Sequence, residues 1–216
     1  QDDVDRCGIV HPSLGIKVGD SIIDAGLYAG DRDMFAFMVN PERRIKDGTD
    51  EGLCRGFFVR NSEVGNAMFD LCTFLFRALC GNHIVWGVED VHRLKVKHIG
   101  RGTRSRILEG IDTELNNYVN ASTEQEEAFI RKAKKKEIAE NVDDIVDLFY
   151  HDKELLTKKE VEGSFELAVQ HEKTDGNPRS YWGFTQGLTR YAQTTAFADR
   201  RNRLDRVGGQ ILAMAN

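Results

Sequence analysis

Between residues 91 and 107 the chain reads "VHRLKVKHIGRGTRSRI", a run without a single carboxylate. Alternate side chains of a strand share a face, so Arg93, Lys95 and Lys97 would project together at intervals of roughly 7 Å, with Leu94 and Val96 turned to the core. Such a row suits the phosphates of an extended nucleic-acid strand. Arg101, Arg104 and Arg106 follow in a glycine-containing turn before a helix start, which adds donors and a helix N-terminus for a phosphate. The competing structural role is an edge strand guarded against pairing by its lysines. A second cluster, Arg200, Arg201, Arg203 and Arg206 in "DRRNRLDR", is explained equally by helix-end or intersubunit ion pairs. Tyr28, Phe57 and Phe58 could stack bases, although strand aromatics more often fill cores.

Other chemistries are less well served. Cys80-x-x-His83 with Cys72 or His92, and His92 with His98, are the candidate metal sets, but none has the paired spacing of a structural zinc site. No metal and no cofactor is expected. Asp20, Asp24, Asp31 and Asp33 could flank a metal ion or form a carboxylate pair, yet acids at turns are ordinarily solvated. The sequence has no nucleophile elbow, Walker loop or dinucleotide fingerprint. The stretches "VRNSEVG" (59–65) and "RALCGNH" (77–83) bracket the most apolar segment and hold Ser62, Glu63, Arg77, Cys80 and His83. They read better as two turns than as a catalytic cluster. Asn61, Ser62 and Gly65 return one strand onto the next, and Asn82 beside Gly81 suits a left-handed bend. Arg77, a cation in an apolar run, then needs Glu63 or backbone carbonyls as partners. No catalytic residue is assigned.

The elements that must position these groups follow from hydrophobic periodicity. Short alternating segments at 14–18, 22–29 and 34–39, the last two flanking the turn "AGDRD", read as strands, as do 53–61, 67–76 and 91–99. So many strands with little room for crossover helices favour an antiparallel meander. The second half changes to helical spacing: Ile107, Ile111, Leu115, Tyr118 and Val119; then Val142, Ile145, Val146 and Phe149; then Val161, Phe165 and Ala168 behind the capping box Thr157-x-x-Glu160. "STEQEEAFIRKAKKKEIAE" reads as a solvated helix projecting from the body, and the tail carries two more helices after the breaker Asp175-Gly176-Asn177-Pro178. The expected fold is α+β, a mainly antiparallel sheet from the N-terminal half with the C-terminal helices packed on one face. Residues 1–120 would form the β-rich core domain and 121–216 a helical region on the same core.

The 216 residues are 40% hydrophobic and 30% charged, enough for a core without disulfide or metal staples. Cys7, Cys54, Cys72 and Cys80 are isolated among apolar neighbours and read as reduced packing residues. The net charge of −5 excludes a protein that coats nucleic acid with its whole surface, but not one with a local basic groove. With Gln1 in place of Met, no charged leader and no apolar run of spanning length, the sequence reads as a cytosolic fragment or processed chain with no membrane association.

The motifs "RNSEVGNAMF", R-x-x-C-x-N in "RALCGN", His98-x-Gly100 in "KHIGRG" and "YWGFTQGLTRYA" followed by Gly208-Gly209 occur in one order over about residues 53 to 211. In this the chain resembles the domain of unknown function 932 family, also called the phage/plasmid-like protein family. His83 stands where that family usually has Gly. The resemblance marks Ser62, Gly65, Arg77, Cys80, Asn82 and His98 as motif positions and implies a mobile-element context in the cytoplasm of a bacterial host, without an established activity. The leading expectation is a non-enzymatic protein that binds or anneals single-stranded DNA, with homo-oligomers as its working form. The alternatives are a protein-interaction or anti-defence factor acting on a host protein through helix 122–140, and a metal-dependent nucleic-acid enzyme.

Overall fold

The computed structural model describes residues 9–11, 16–18, 21–23, 26–29, 33–50, 52–62, 68–77, 82–84, 93–97, 105, 109–110, 113, 117–118, 121–195 and 198–216. The chain forms two compact units. The first comprises Gln1–Arg44, Cys54–Phe76 and Glu89–Ser122, and the second Ile45–Leu53, Arg77–Val88 and Thr123–Asn216.

Strands dominate the first unit: β1 (Ile9–His11), β2 (Ile16–Val18), β3 (Ser21–Ile23), β4 (Gly26–Ala29), β5 (Asp33–Ile45), β6 (Leu53–Ser62), β7 (Met68–Arg77) and β9 (Arg93–Lys97). The order runs β1-β4-β5-β6-β7, with β9 also on β7 and β2-β3 as a separate ribbon. The antiparallel pairing of β4 with β5 sets Ala29 opposite Met34, and the expected turn residues Gly30 and Asp31 lie outside the described residues. Arg55 on β6 and its register partner Leu75 on β7 are both buried. The Arg55 guanidinium is satisfied there by the carbonyls of Ala121 (2.7 Å) and Ser122 (2.8 Å) and lies 5.3 Å from the centre of the Tyr118 ring. Charge-assisted bonds of this kind offset the cost of taking the cation from water.

The second unit holds β8 (Asn82–Ile84), α1 (Glu124–Lys135), α2 (Val142–Val146), a π-helical turn (Asp147–Asp152), α3 (Lys158–Gln170), α4 (Glu172–Asp175), α5 (Tyr181–Gln193) and α6 (Ala198–Ala213). Helix α5 is its axis: every residue from Tyr181 to Thr189 is buried, and α1, α3, α4, α6 and β8 all touch it. Its glycines permit this crowding. A methyl group at Gly187 would strike the Ser164 carbonyl oxygen and Ala168 of α3, and one at Gly183 would strike the Asn177 carbonyl. Local signals set the ends. Thr157 and Glu160 form the expected capping box of α3, and Ser180 caps α5 by accepting from the Gly183 amide at 3.0 Å. Helix α4 stops at Gly176, whose φ of 84° falls in the left-handed region. The π turn drives Phe149 inward to within 5.2 Å of the Phe184 ring and leaves its neighbour Tyr150 40% exposed.

Two expectations are corrected. The described strand pairings are antiparallel and the helices do fall in the C-terminal half, but the fold is not mainly sheet: helices hold more of the described chain than strands do. Within the second unit α5 has α1, α3, α4 and α6 against it, and its buried residues include Thr185, Gln186 and Thr189 as well as Trp182, Phe184 and Leu188. Helix α1 does not project as a solvated rod, since Glu126, Phe129, Ile130 and Ala133, spaced i, i+3, i+4, i+7, are buried.

Candidate nucleic-acid interface

Strand β9 carries three of the proposed phosphate contacts, and its register with β7 places each one. Arg93 lies across from Cys72, Lys95 from Asp70 and Lys97 from Met68. On the far side of β7, Arg60 of β6 is the partner of Asp70, and Phe58 that of Cys72. The register therefore contains two adjacent rows, Phe58–Cys72–Arg93 and Arg60–Asp70–Lys95. The intervening row Val59–Leu71–Leu94 has the parity of the buried Arg55–Leu75 pair, as expected for the apolar side of β9. At the beginning of β6, Cys54 and Gly56 of the other parity are buried as well, so covering is two-sided at that end.

Pairing changes the worth of the individual cations. Asp70 stands in register between Arg60 and Lys95, a sequence of charges that favours cross-strand attraction. Arg93 and Lys97 have no carboxylate at their register positions on β7, and among the described residues β9 pairs with β7 alone. Arg60 was missed in the sequence because only the strand pairing brings it into line with Lys95. Arg101, Arg104 and Arg106 lie outside the described residues, as do Gly65, Cys80 and His98. Of the other motif positions, Ser62 ends β6, Arg77 ends β7 and Asn82 begins β8.

The second basic cluster has a different use. Arg200 and Arg203 of α6 both reach the buried Glu160 carboxylate, at 3.1 and 2.6 Å, and Arg203 also donates to the Leu155 carbonyl at 3.1 Å. Burial pushes the Glu160 carboxyl up, but hydrogen bonds from Arg203, the Thr157 backbone and Arg200, with the Arg203 charge, outweigh it and hold the group below the usual glutamate range. These arginines fasten α6 to the start of α3. Further along α6, Asp205 is buried, and burial pushes its carboxyl up to about 7 against the pull of Arg201.

The lysines of α1 divide in the same manner. Lys134 donates to the Asp47 carbonyl and lies 5.4 Å from the centre of the Trp182 ring. Lys136 donates to the carbonyls of Met214 (3.1 Å) and Asn216 (3.0 Å). Arg131, Lys132 and Lys135 are exposed instead and line a shallow surface depression with Ala128 and Lys136.

Among the described residues no group of three His, Cys, Asp or Glu is placed to hold a metal ion, and no helix is long and apolar enough to cross a membrane. Cys54 is buried and is not part of a disulfide. No curated protein and no solved structure matches the chain. The family model described as Domain of unknown function (DUF932) matches residues 10–208, a span that takes in every motif from "RNSEVG" to Gly208, and the chain belongs to that family.

Proposed function

We propose that the chain is a non-enzymatic nucleic-acid-binding protein whose β6–β7–β9 rows take the backbone of a single strand. The observation that carries this reading is the run of cations on β9, with Arg93 and Lys97 opposite uncharged residues and Arg60 in register two strands away. Alternate strand positions repeat at roughly 7 Å, a spacing that lets successive phosphates meet successive cations. Phe58, in the same row as Arg93, supplies an aromatic for base stacking next to a phosphate contact. Lys95 has Asp70 as its register partner, so Arg93 and Lys97, across from Cys72 and Met68, are the cations assigned to the phosphates.

The test is a fluorescence-anisotropy titration of labelled single-stranded DNA with the wild type and with Arg93→Glu plus Lys97→Glu. Each single-strand phosphate contact contributes about 0.7 to the salt slope, so losing two makes the slope shallower by about 1.4 and weakens binding about 60-fold at roughly 50 mM salt. A wild type that binds no single strand at low salt, or a double variant that binds as tightly as the wild type, would refute the proposal. A parallel RNA probe shows which sugar is preferred, because only RNA offers the 2′-hydroxyl.

A further inference from the structure

Helix α1 carries a second row of cations that the fold leaves unused. Ala128, Arg131, Lys132 and Lys135 fall at i, i+3, i+4, i+7, the side of the helix away from the buried Phe129, Ile130 and Ala133. Helical neighbours do not neutralise the row. The residue one turn before Lys132 is Ala128, and the one before Lys135 is Arg131, a like-charge pair that weakens a helix. Glu127, one turn before Arg131, has its carboxylate engaged by the Lys46 amide (3.2 Å) and the Thr123 hydroxyl (3.3 Å). No ion pair is formed by Arg131, Lys132 or Lys135 with any described residue. Lys134 and Lys136 show the contrast, since both are spent on backbone carbonyls inside the unit.

Proximity to the negative end of the helix dipole favours cations in the last turn, but that effect is equally open to Lys134 and Lys136 and does not call for three more on one exposed face. On a chain of net charge −5, an approaching polyanion is repelled except where positive charge is local and unpaired. The three cations extend roughly 6 Å along the helix, enough for two neighbouring phosphates, and the Arg131 guanidinium can hold one of them through two parallel bonds. The small side chain of Ala128 leaves the depression between the cations open.

We infer that Arg131, Lys132 and Lys135 are a second phosphate-binding row for nucleic acid, separate from the β9 row. This inference rests on the function proposed above and adds a contact from the helical unit. It is tested with Arg131→Gln, Lys132→Gln and Lys135→Gln combined, in the full chain with Arg93 and Lys97 intact, against a labelled single strand of roughly 30 nucleotides. The expected result is at least tenfold weaker binding and a salt slope shallower by about 2, with an unchanged melting temperature. A wild type that binds while the triple variant binds equally well overturns the inference and leaves the β9 proposal standing. A wild type that binds no nucleic acid overturns both. Polyglutamate serves as the competing probe: if the triple variant loses polyglutamate binding but keeps DNA binding, the row recognises acidic proteins and the inference is wrong.

Discussion

Gly187 and Gly208 lie in contacting helices and respond in opposite directions to the same substitution. In Gly187→Ala the new methyl carbon would stand 2.8 Å from the Ala168 side chain and 2.9 Å from its backbone nitrogen, and closer still to the Ser164 carbonyl oxygen. Two of those three atoms belong to the backbone of α3, so no rotamer change relieves the clash and the helices must separate. Overpacking of this type costs about 1 to 3 kcal/mol, with the upper end expected where backbone must move. Alanine's better helix propensity returns about 1 kcal/mol, leaving a net loss of about 2 kcal/mol. In a chain of this size that corresponds to a melting temperature lower by about 4 to 8 °C. Gly208→Ala is the control: its methyl would meet the side chains of Thr185, Thr189 and Leu188 at 3.5 to 3.8 Å, ordinary contact distances. Only the propensity gain remains, and the melting temperature should rise by about 2 to 4 °C. Scanning calorimetry of the two variants decides the matter. If Gly187→Ala melts at or above the wild type, the close approach of α3 and α5 is not the reason for glycine at 187.

Arg190→Met removes the guanidinium that pairs with Asp175, whose side chain is fully buried, and should cost about 3 to 5 kcal/mol in urea denaturation; adding Asp175→Asn should recover much of it. Asp205 gives a pH signature. Its carboxyl, raised by burial from an ordinary 3.8 to about 7, keeps its proton in the fold where the unfolded chain has lost it. That contribution to stability is therefore full below about pH 4 and is lost as pH rises through about 7. Asp205→Asn should be more stable than the wild type at about pH 8, and thermal melts between about pH 5 and pH 8 should show less variation than those of the wild type.

Much of the local structure was legible because it depends on neighbours in sequence. The strand 53–61 observed as Leu53–Ser62, the strand 67–76 observed as Met68–Arg77, and the box Thr157–Glu160 all rest on side chains a few residues apart. The balance of the fold was not legible, because α5 is buried on every side and its Thr185, Gln186 and Thr189 look amphipathic in a sequence. The motif "YWGFTQGLTRYA" was visible as a pattern, while its meaning, close helix contact at Gly183 and Gly187, required knowing that Asn177 and Ser164 lie against it. The candidate site divides in the same way. The acid-free run on β9 could be read directly, whereas the relation of Lys95 to Asp70 and Arg60 depends on pairing between strands distant in the chain. Likewise, nothing local to "DRRNRLDR" discloses that Arg200 and Arg203 are held by Glu160, forty residues earlier.

The two units alternate along the chain, as 1–44, 54–76 and 89–122 against 45–53, 77–88 and 123–216. Each therefore draws on three separate stretches of the gene, and one crossover between related genes can never exchange one unit without part of the other. Any recombinant joined near residue 122 would combine β8 and the 45–53 loop from one parent with the helices from the other. Gene shuffling should thus pass the chain on as one heritable block, with the β9 cations and the α1 cations inherited together.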